Sequence, residues 1–253
     1  MRSLQLLGVT AALAVLSGAC QNEPVGKDNN PFAGPSSDIK TPPPAPPPKP
    51  SGPPALLIDD IGAKVGFELI VLGKPDSAAR LAKALGEVKS ELEGKTVTLT
   101  VDRRAKLDWV TSYFAALEAI GVERITVKTD SRKDFPQELT FTPSKKLSDP
   151  KPCSVVAKVQ EDRSTVVWRL SGGTATKHRK GFAGPDLTTT ADSLERLGKG
   201  CPDSSTLFVA AAPVIDWGLT YDLAASGKAL EKVKYDTFVL IESEPVAGRK
   251  VEP

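Results

Sequence analysis

The stretch Thr96-Val97-Thr98-Leu99-Thr100-Val101 decides how this chain folds. Its apolar and hydroxyl side chains alternate strictly, which is the pattern of a β-strand with one buried face. Apolar residues at helical spacing precede it over residues 75–92 and follow it over residues 108–121. Strands that alternate with helices predict an α/β fold, in which the helices cover a face of the sheet.

The same stretch begins an internal repeat at an offset of 108 residues. The pair Asp108-Trp109 recurs as Asp216-Trp217. The other matching pairs are Thr98 with Thr206, Leu99 with Leu207, Val101 with Val209, Tyr113 with Tyr221 and Ala116 with Ala224. Self-similarity at a fixed spacing predicts two copies of one structural unit.

Each copy is predicted to run strand, strand, helix, strand, helix, strand. In the first copy we predict strands at 66–72, 96–101 and 123–129 and helices at 75–92 and 108–121. In the second copy we predict strands at 154–159, 165–170, 206–212 and 235–241 and helices at 187–197 and 217–230. The expected fold class is therefore α/β, with two tandem two-layer sandwich domains over residues 55–142 and 150–245.

Residues 1–19 have the pattern of a lipoprotein signal peptide. Arg2 precedes an apolar run, and small residues lead directly into Cys20, whose thiol would accept the lipid. The alternative is a transmembrane anchor, but a spanning helix needs about 20 apolar residues and this run is shorter. Gln21 follows the cysteine, which favours the outer membrane, facing the periplasm, as the location.

Residues 20–54 are predicted to be a tether, because proline dominates them from Pro42 onward. Polyproline II rises about 3.1 Å per residue, so such a segment reaches on the order of 100 Å from the lipid. The alternative is that the prolines are a ligand for an aromatic groove.

Three cysteines support export. With Cys20 lipidated, Cys153 and Cys201 remain as an even pair, for which a disulfide is expected in an oxidising compartment. The alternative, a redox-active pair, lacks a Cys-x-x-Cys spacing.

The composition restricts the possible partners. Lys plus Arg total 33 and Asp plus Glu total 31 in 253 residues, so no general electrostatic attraction draws nucleic acid to the chain. Export makes nucleic acid an unexpected partner as well.

Two segments of the first copy resemble a known family. These are Thr98-Leu99-Thr100-Val101-Asp102-Arg103-Arg104 and the stretch from Ala116 to Val127 that contains Gly121-Val122. The first copy resembles the periplasmic domain of the ExbD/TolR family, in which a strand ending in Asp-Arg leads to a helix that finishes Ala-Leu-x-x-x-Gly-Val. The second copy departs from this pattern, since Ala210-Ala211-Ala212 replaces Asp102-Arg103-Arg104.

The resemblance implies self-association and contact with envelope proteins or peptidoglycan. It does not imply proton-coupled force transduction, because this chain lacks the family's transmembrane helix with an embedded aspartate. Since the family's domain pairs with itself, tandem copies are expected to form a pseudo-dimer within one chain.

The main binding candidate is the glycine-flanked segment 172–181, which carries Lys177, Arg179 and Lys180 and is predicted to be a loop. Clustered cations favour anions such as peptidoglycan carboxylates or lipid phosphates. Arg103 and Arg104 are a second candidate. The alternative is that these residues are ordinary solvated surface.

Other polar and aromatic residues have structural explanations. Asp108 and Asp216 are predicted to be helix N-caps, and Trp109, Trp217, Tyr113 and Tyr221 are predicted to be core or interface residues rather than sugar-stacking groups. His178 is the single histidine, so a histidine-based metal cluster is excluded and any Ser-His-Asp triad depends on it. We predict no cofactor, no metal and no catalytic residue.

The expected function is therefore a lipid-anchored binding or scaffold protein of the cell envelope, which contacts peptidoglycan or an envelope complex. The alternatives are an envelope hydrolase with an unrecognised site and a domain needed only for assembly of a larger complex.

Overall fold

The computed structural model describes residues 52–182 and 184–252. The predicted signal peptide, Cys20 and the tether up to residue 51 lie outside the described residues. The described part is a mixed α/β fold built on one large sheet. We call residues 52–142 the first half and residues 154–252 the second half.

The helices and strands follow the expected alternation. The first half contains β1 (Leu56–Ile58), β2 (Gly62–Val65), β3 (Glu68–Val71), α1 (Ser77–Glu87), α2 (Lys89–Leu92), β4 (Thr96–Val101), α3 (Leu107–Ala119), β5 (Arg124–Lys128) and β6 (Glu138–Phe141). The second half contains β7 (Val155–Val159), β8 (Thr165–Arg169), β9 (Thr176–His178), β10 (Lys180–Gly181), β11 (Gly184–Pro185), α4 (Leu187–Lys199), β12 (Thr206–Ala211), α5 (Trp217–Lys228) and β13 (Thr237–Leu240). A 3-10 turn at Ser144–Lys146 lies between the halves.

Eleven of the described strands form the sheet, in the order β3-β2-β1-β4-β5-β6-β13-β12-β7-β8-β9. In the first half β4 lies parallel to β1 and β5, and in the second half β12 lies parallel to β7 and β13. Strand β6 is antiparallel to β5 and parallel to β13, so the two halves run in opposite directions. Strands β10 and β11 form a separate hairpin.

The helices cover one face of the sheet, which we call the front. Strand β4 has the predicted alternation, since Val97, Leu99 and Val101 are buried and the three threonines are exposed. The inward residues pack in one core cluster with Phe114 of α3 and Leu194 of α4. The strand therefore forms because its apolar side has helices to pack against.

The opposite face, the back, differs between the halves. In the second half it carries its own core cluster, which includes Val156, Trp168 and Phe208. Residues 244–252 cross this face, where Val251 is buried and its N–H donates to the carbonyl of Leu170 at 2.9 Å. No helix of the described part contributes to this second cluster.

The halves also meet at the N-terminal ends of α3 and α5. The N–H of Leu107 donates to the carbonyl of Ile215 at 3.0 Å, and the N–H of Trp217 donates to the carbonyl of Ala105 at 2.7 Å. The Trp217 indole N–H donates to the hydroxyl of Thr129 at 2.8 Å. These bonds fix the helices of the two halves against each other.

The expected disulfide between Cys153 and Cys201 is present, with the two Cα atoms 5.5 Å apart. It joins the segment before β7 to the segment before β12, two strands that are parallel neighbours. The two cysteines are 48 residues apart in the chain. Closing a loop of that length stabilises the fold by about 3 to 4 kcal/mol in the chain-entropy model.

Several local predictions need correction. The first half opens with three strands rather than one, and the predicted helix 75–92 breaks at Val88. Lys106 precedes α3 as its N-cap, so Asp108 lies in the first turn, whereas Asp216 does occupy the N-cap position of α5, although its side chain makes no capping hydrogen bond. The errors at Val88 and Asp108 concern helix boundaries, which local sequence signals do not fix on their own.

Within the described residues, no helix combines the length and the apolar character that crossing a membrane requires.

Candidate functional site

The basic segment does not form the open loop that the glycines predict. Residues Thr176–His178 pair with β8 as the edge strand β9, and Lys180–Gly181 belongs to the β10–β11 hairpin. The loop prediction for residues 172–181 is therefore wrong for these residues. Lys177, Arg179 and Lys180 are exposed together at one edge of the sheet.

Lys177 has an ionic partner within the chain. Its ammonium lies 3.0 Å from a carboxylate oxygen of Asp162 in the β7–β8 turn, and both side chains are about half exposed. Hydrogen bonds from Ser164 first, and then from Lys177, hold the pKa of Asp162 well below its usual range. Within the described part of the chain, Arg179 and Lys180 make no ion pair or side-chain hydrogen bond, so they are the two open cations of the segment.

Arg103, the other main cationic candidate, is directed into the protein. It donates both terminal nitrogens to Asp222 of α5, at 2.9 and 2.8 Å, and the Asp222 side chain is only 2% exposed. Arg132 also binds Asp222, at 3.1 Å. A Cβ atom at Gly218 would lie 2.9 Å from that of Arg103, so the guanidinium fills the space beside a glycine. Arg103 therefore joins the halves and is not available to an external anion.

Arg104 remains at the surface. Its guanidinium pairs with Asp102 at 3.1 Å and Asp60 at 3.3 Å, and its side chain is 69% exposed. The hydrogen bonds from Arg104 lower the pKa of Asp102. Because two carboxylates already neutralise Arg104, it is a weaker anion site than Arg179 or Lys180.

His178 is bonded to a buried serine. Its Nε2 atom lies 3.0 Å from the Ser193 hydroxyl of α4, and Ser193 is only 5% exposed. Burial is the main reason that the pKa of His178 is lowered, while the neighbouring Asp186 acts in the opposite direction. The hydrogen bond fastens β9 to α4. The described residues also contain no group of His, Cys, Asp or Glu that could hold a metal ion.

The aromatic residues of the repeat belong to the core, as predicted. Trp217, Tyr113 and Tyr221 are fully buried, and Trp109 packs against the core while partly exposed. The Tyr113 hydroxyl donates to the carbonyl of Lys64 at 3.0 Å, and the Tyr221 hydroxyl donates to the carbonyl of Pro136 at 3.0 Å. Burial raises the pKa of both tyrosines. They are therefore not available for stacking on a sugar.

A cavity that was not predicted from the sequence lies at the back of the first half. It has a volume of about 450 Å³ and lies at the carboxyl ends of the parallel strands β1, β4 and β5. Asp59, Asp102 and Asp130 line it, one after each strand. The signal was present in the sequence, because each aspartate follows a strand-like run and ligands of open α/β sheets bind at such ends.

The carboxylates of this cavity are largely engaged by the protein. Asp59 accepts hydrogen bonds from the N–H groups of Ile61 and Gly62, both at 2.9 Å. Asp102 accepts from the N–H of Arg104 at 2.8 Å. The aspartates therefore shape the turns that follow β1 and β4, and their remaining charge makes the cavity unfavourable for anions.

Compared with family models, with curated proteins and with solved structures, the chain gives no match.

Proposed function

We propose that this chain is a lipid-anchored binding or scaffold protein of the bacterial cell envelope. Cys20 carries the lipid, residues 20–54 are the tether, and the folded unit contacts the partner, with the outer membrane as the site of anchoring on its periplasmic side. The disulfide between Cys153 and Cys201 supports this location, because such bonds persist in oxidising compartments and are rare in reducing ones.

We also propose that residues 55–142 and 150–245 are tandem ExbD/TolR-like modules that pair as an intramolecular pseudo-dimer. Read from one edge, the sheet runs β3-β2-β1-β4-β5, and from the other edge it runs β9-β8-β7-β12-β13. The hydrogen bond between Leu107 and Ile215 joins two positions that match in the sequence repeat. Matching strand order and contact between matching positions both support this pairing.

The observation that carries the binding proposal is the exposed basic segment Lys177–Lys180 at the free edge of the sheet. Arg179 and Lys180 make no ion pair with the described residues, so their charges are available to an anionic group of the envelope. Peptidoglycan, with its carboxylates, or an envelope protein complex supplies such groups.

The lipid anchor is tested by growing cells with labelled palmitate and fractionating their membranes. The parent chain is expected to take up the label and to remain with the envelope. The Cys20→Ala variant is the control and is expected to lose both properties. A parent chain without label contradicts the lipid anchor.

The wall contact is tested by sedimentation of the unlipidated chain with purified peptidoglycan sacculi at low and moderate salt. Cosedimentation is expected to fall with salt and to be lost when Lys177, Arg179 and Lys180 are replaced by alanine. The matched control replaces three exposed lysines elsewhere, Lys74, Lys83 and Lys133, and removes the same charge. If the parent does not cosediment, peptidoglycan is not the partner, and crosslinking in intact cells then tests an envelope protein.

A further inference from the structure

The hairpin beside the basic segment exposes a large aromatic side chain. Phe182 follows β10 directly and is fully exposed, at 111% of the reference value. Gly181 and Gly184 pair across the hairpin, so no neighbouring side chain on these strands shields the ring. Single exposed apolar residues are common on protein surfaces. Phe182 is a candidate contact because the exposed cations Arg179 and Lys180 lie beside it in the chain.

The charges around Phe182 are mostly positive. A small cavity at the base of the hairpin is lined by Lys180 and Phe182 and by Glu161, Asp162 and Arg163 of the β7–β8 turn. Lys177 neutralises Asp162, as described above. Arg179 adds a fourth cation, and Asp186, which follows β11 directly, adds a third carboxylate. The remaining positive charge suits an anionic surface.

We infer that this hairpin is a contact with an anionic lipid bilayer, in which Phe182 enters the interfacial zone while Arg179, Lys180 and Arg163 bind lipid phosphates. Aromatic rings with adjacent cations are suited to that zone, since the ring reaches acyl chains and the cations remain among the headgroups. This inference rests on the proposed function, because it names lipid phosphate as the anion that the basic segment binds.

With the lipid anchor in place, one ring and a few cations are enough to hold the folded unit on the bilayer. One aromatic ring and a few cations hold a free protein on a membrane only weakly, whereas a second attachment turns the contact into an intramolecular event at high effective concentration. The β9 edge of the folded unit then contacts the bilayer, and the unit is not held away from it by the extended tether.

A second exposed phenylalanine provides the matched control. Phe67 is 88% exposed and lies in the turn between β2 and β3. It is followed by Glu68, which pairs with Arg80. Gly66 next to it donates its N–H to the carbonyl of Ala55 at 2.8 Å, so Phe67 is close to where the tether enters the fold. Phe67 is therefore as exposed as a membrane-contacting residue would be, and it lies close to the tether. It differs from Phe182 because no excess of cations surrounds it.

The experiment uses residues 20–253 coupled through Cys20 to a maleimide lipid in vesicles. Because Cys153 and Cys201 are joined, Cys20 is the free thiol of this chain. The Phe182→Trp and Phe67→Trp variants are compared in phosphatidylglycerol and phosphatidylcholine vesicles that contain brominated lipid. Phe182→Trp is expected to shift its emission to shorter wavelength and to lose intensity by quenching in phosphatidylglycerol, with less loss at high salt, whereas Phe67→Trp is expected to stay unquenched.

The inference is overturned if Phe182→Trp is unquenched, or if both variants are quenched equally. Replacing Lys177, Arg179 and Lys180 by glutamine is expected to reduce the quenching of Phe182→Trp, and unchanged quenching also contradicts the proposed contact. If the triple variant loses sacculus binding and Phe182→Trp is not quenched in vesicles, the basic segment binds the wall. In that case the proposed function stands and the membrane contact is contradicted. Failure to incorporate palmitate contradicts the proposed function itself. Unfolding midpoints of all variants check that the exposed positions leave the fold intact.

Discussion

The two halves of the molecule place their strands in the same order but treat the back of the sheet differently. Strand β4 exposes three threonines there, whereas β12 at the corresponding position buries Phe208 and Ala210. Residues 244–252 cover the back of the second half, and the Trp168 indole N–H donates to the carbonyl of Arg249 at 3.0 Å in that cover. Strands β4 and β12 occupy matching places in the sheet, yet the side chains of each strand match what covers its own back face.

The strongest destabilisation is expected at a back-facing position that occurs at the same place in the matching strands β4 and β12. Thr100 and Phe208 are 108 residues apart in the repeat, and both point to the back. Phe208→Ala is expected to lower the free energy of unfolding by about 3 to 5 kcal/mol, because it leaves a cavity in a closed core. Thr100→Ala is expected to change it by less than about 1 kcal/mol. Urea unfolding of both variants measures the difference, and equal losses would mean that the two backs are equally covered.

An intermediate effect is expected where the halves are joined by charge. Arg103→Met leaves the buried carboxylate of Asp222 with Arg132 as its remaining cation, which is expected to cost roughly 2 to 3 kcal/mol. Arg104→Met, at the next residue, removes an exposed guanidinium and is expected to change the stability by less than about 0.5 kcal/mol. Thermal and urea unfolding compare the pair. A similar loss in both variants would show that Arg103 does not join the halves.

The smallest effect is expected at Glu242, which follows β13 and faces Glu118 of α3. Burial first, and then the neighbouring Glu118, raise the pKa of Glu242, while Lys145 nearby acts in the opposite direction. The folded state therefore holds this proton more tightly than the unfolded state, and ionisation of Glu242 costs stability as the pH rises through its raised pKa. Glu242→Gln is expected to stabilise the protein at neutral pH.

That gain is expected to shrink as the pH falls below the ordinary pKa of a glutamate, about 4.3, where Glu242 is protonated in both states. Urea unfolding of the parent and the variant at neutral pH and at about pH 4 measures it. A gain that is the same at both pH values would mean that the effect is not ionisation of Glu242.

The sequence predicted most strands and helices of the second half, because their apolar runs are long and end at clear turn residues. The disulfide also followed from cysteine counting and export. Six short strands were missed, namely β1, β2, β6, β9, β10 and β11, since each has two to four residues and pairs only with distant or hairpin partners. Strand length and edge position depend on tertiary pairing, which local patterns do not contain.

The candidate site was predicted in part. The basic residues Lys177, Arg179 and Lys180 are visible in the sequence as a charge cluster, and the structure places them together. The role of Arg103 was not predictable, because its partner Asp222 is 119 residues away. Phe182 was overlooked for a similar reason. Its place beside Arg163 is visible only in the folded chain, where the β7–β8 turn lies next to the hairpin.

The entry of the chain into the sheet has a mechanical consequence. Residue Ala55 leads into β1, which lies between β2 and β4 and bonds to both, and the N–H of Asp102 donates to the carbonyl of Ile58 at 2.8 Å at its far end. A pull applied along the proposed tether would therefore load β1 in shear against two neighbours at once and would not peel a strand from an edge. The proposed anchor would thus be joined to an interior strand, where both ladders share a load before the front core is opened.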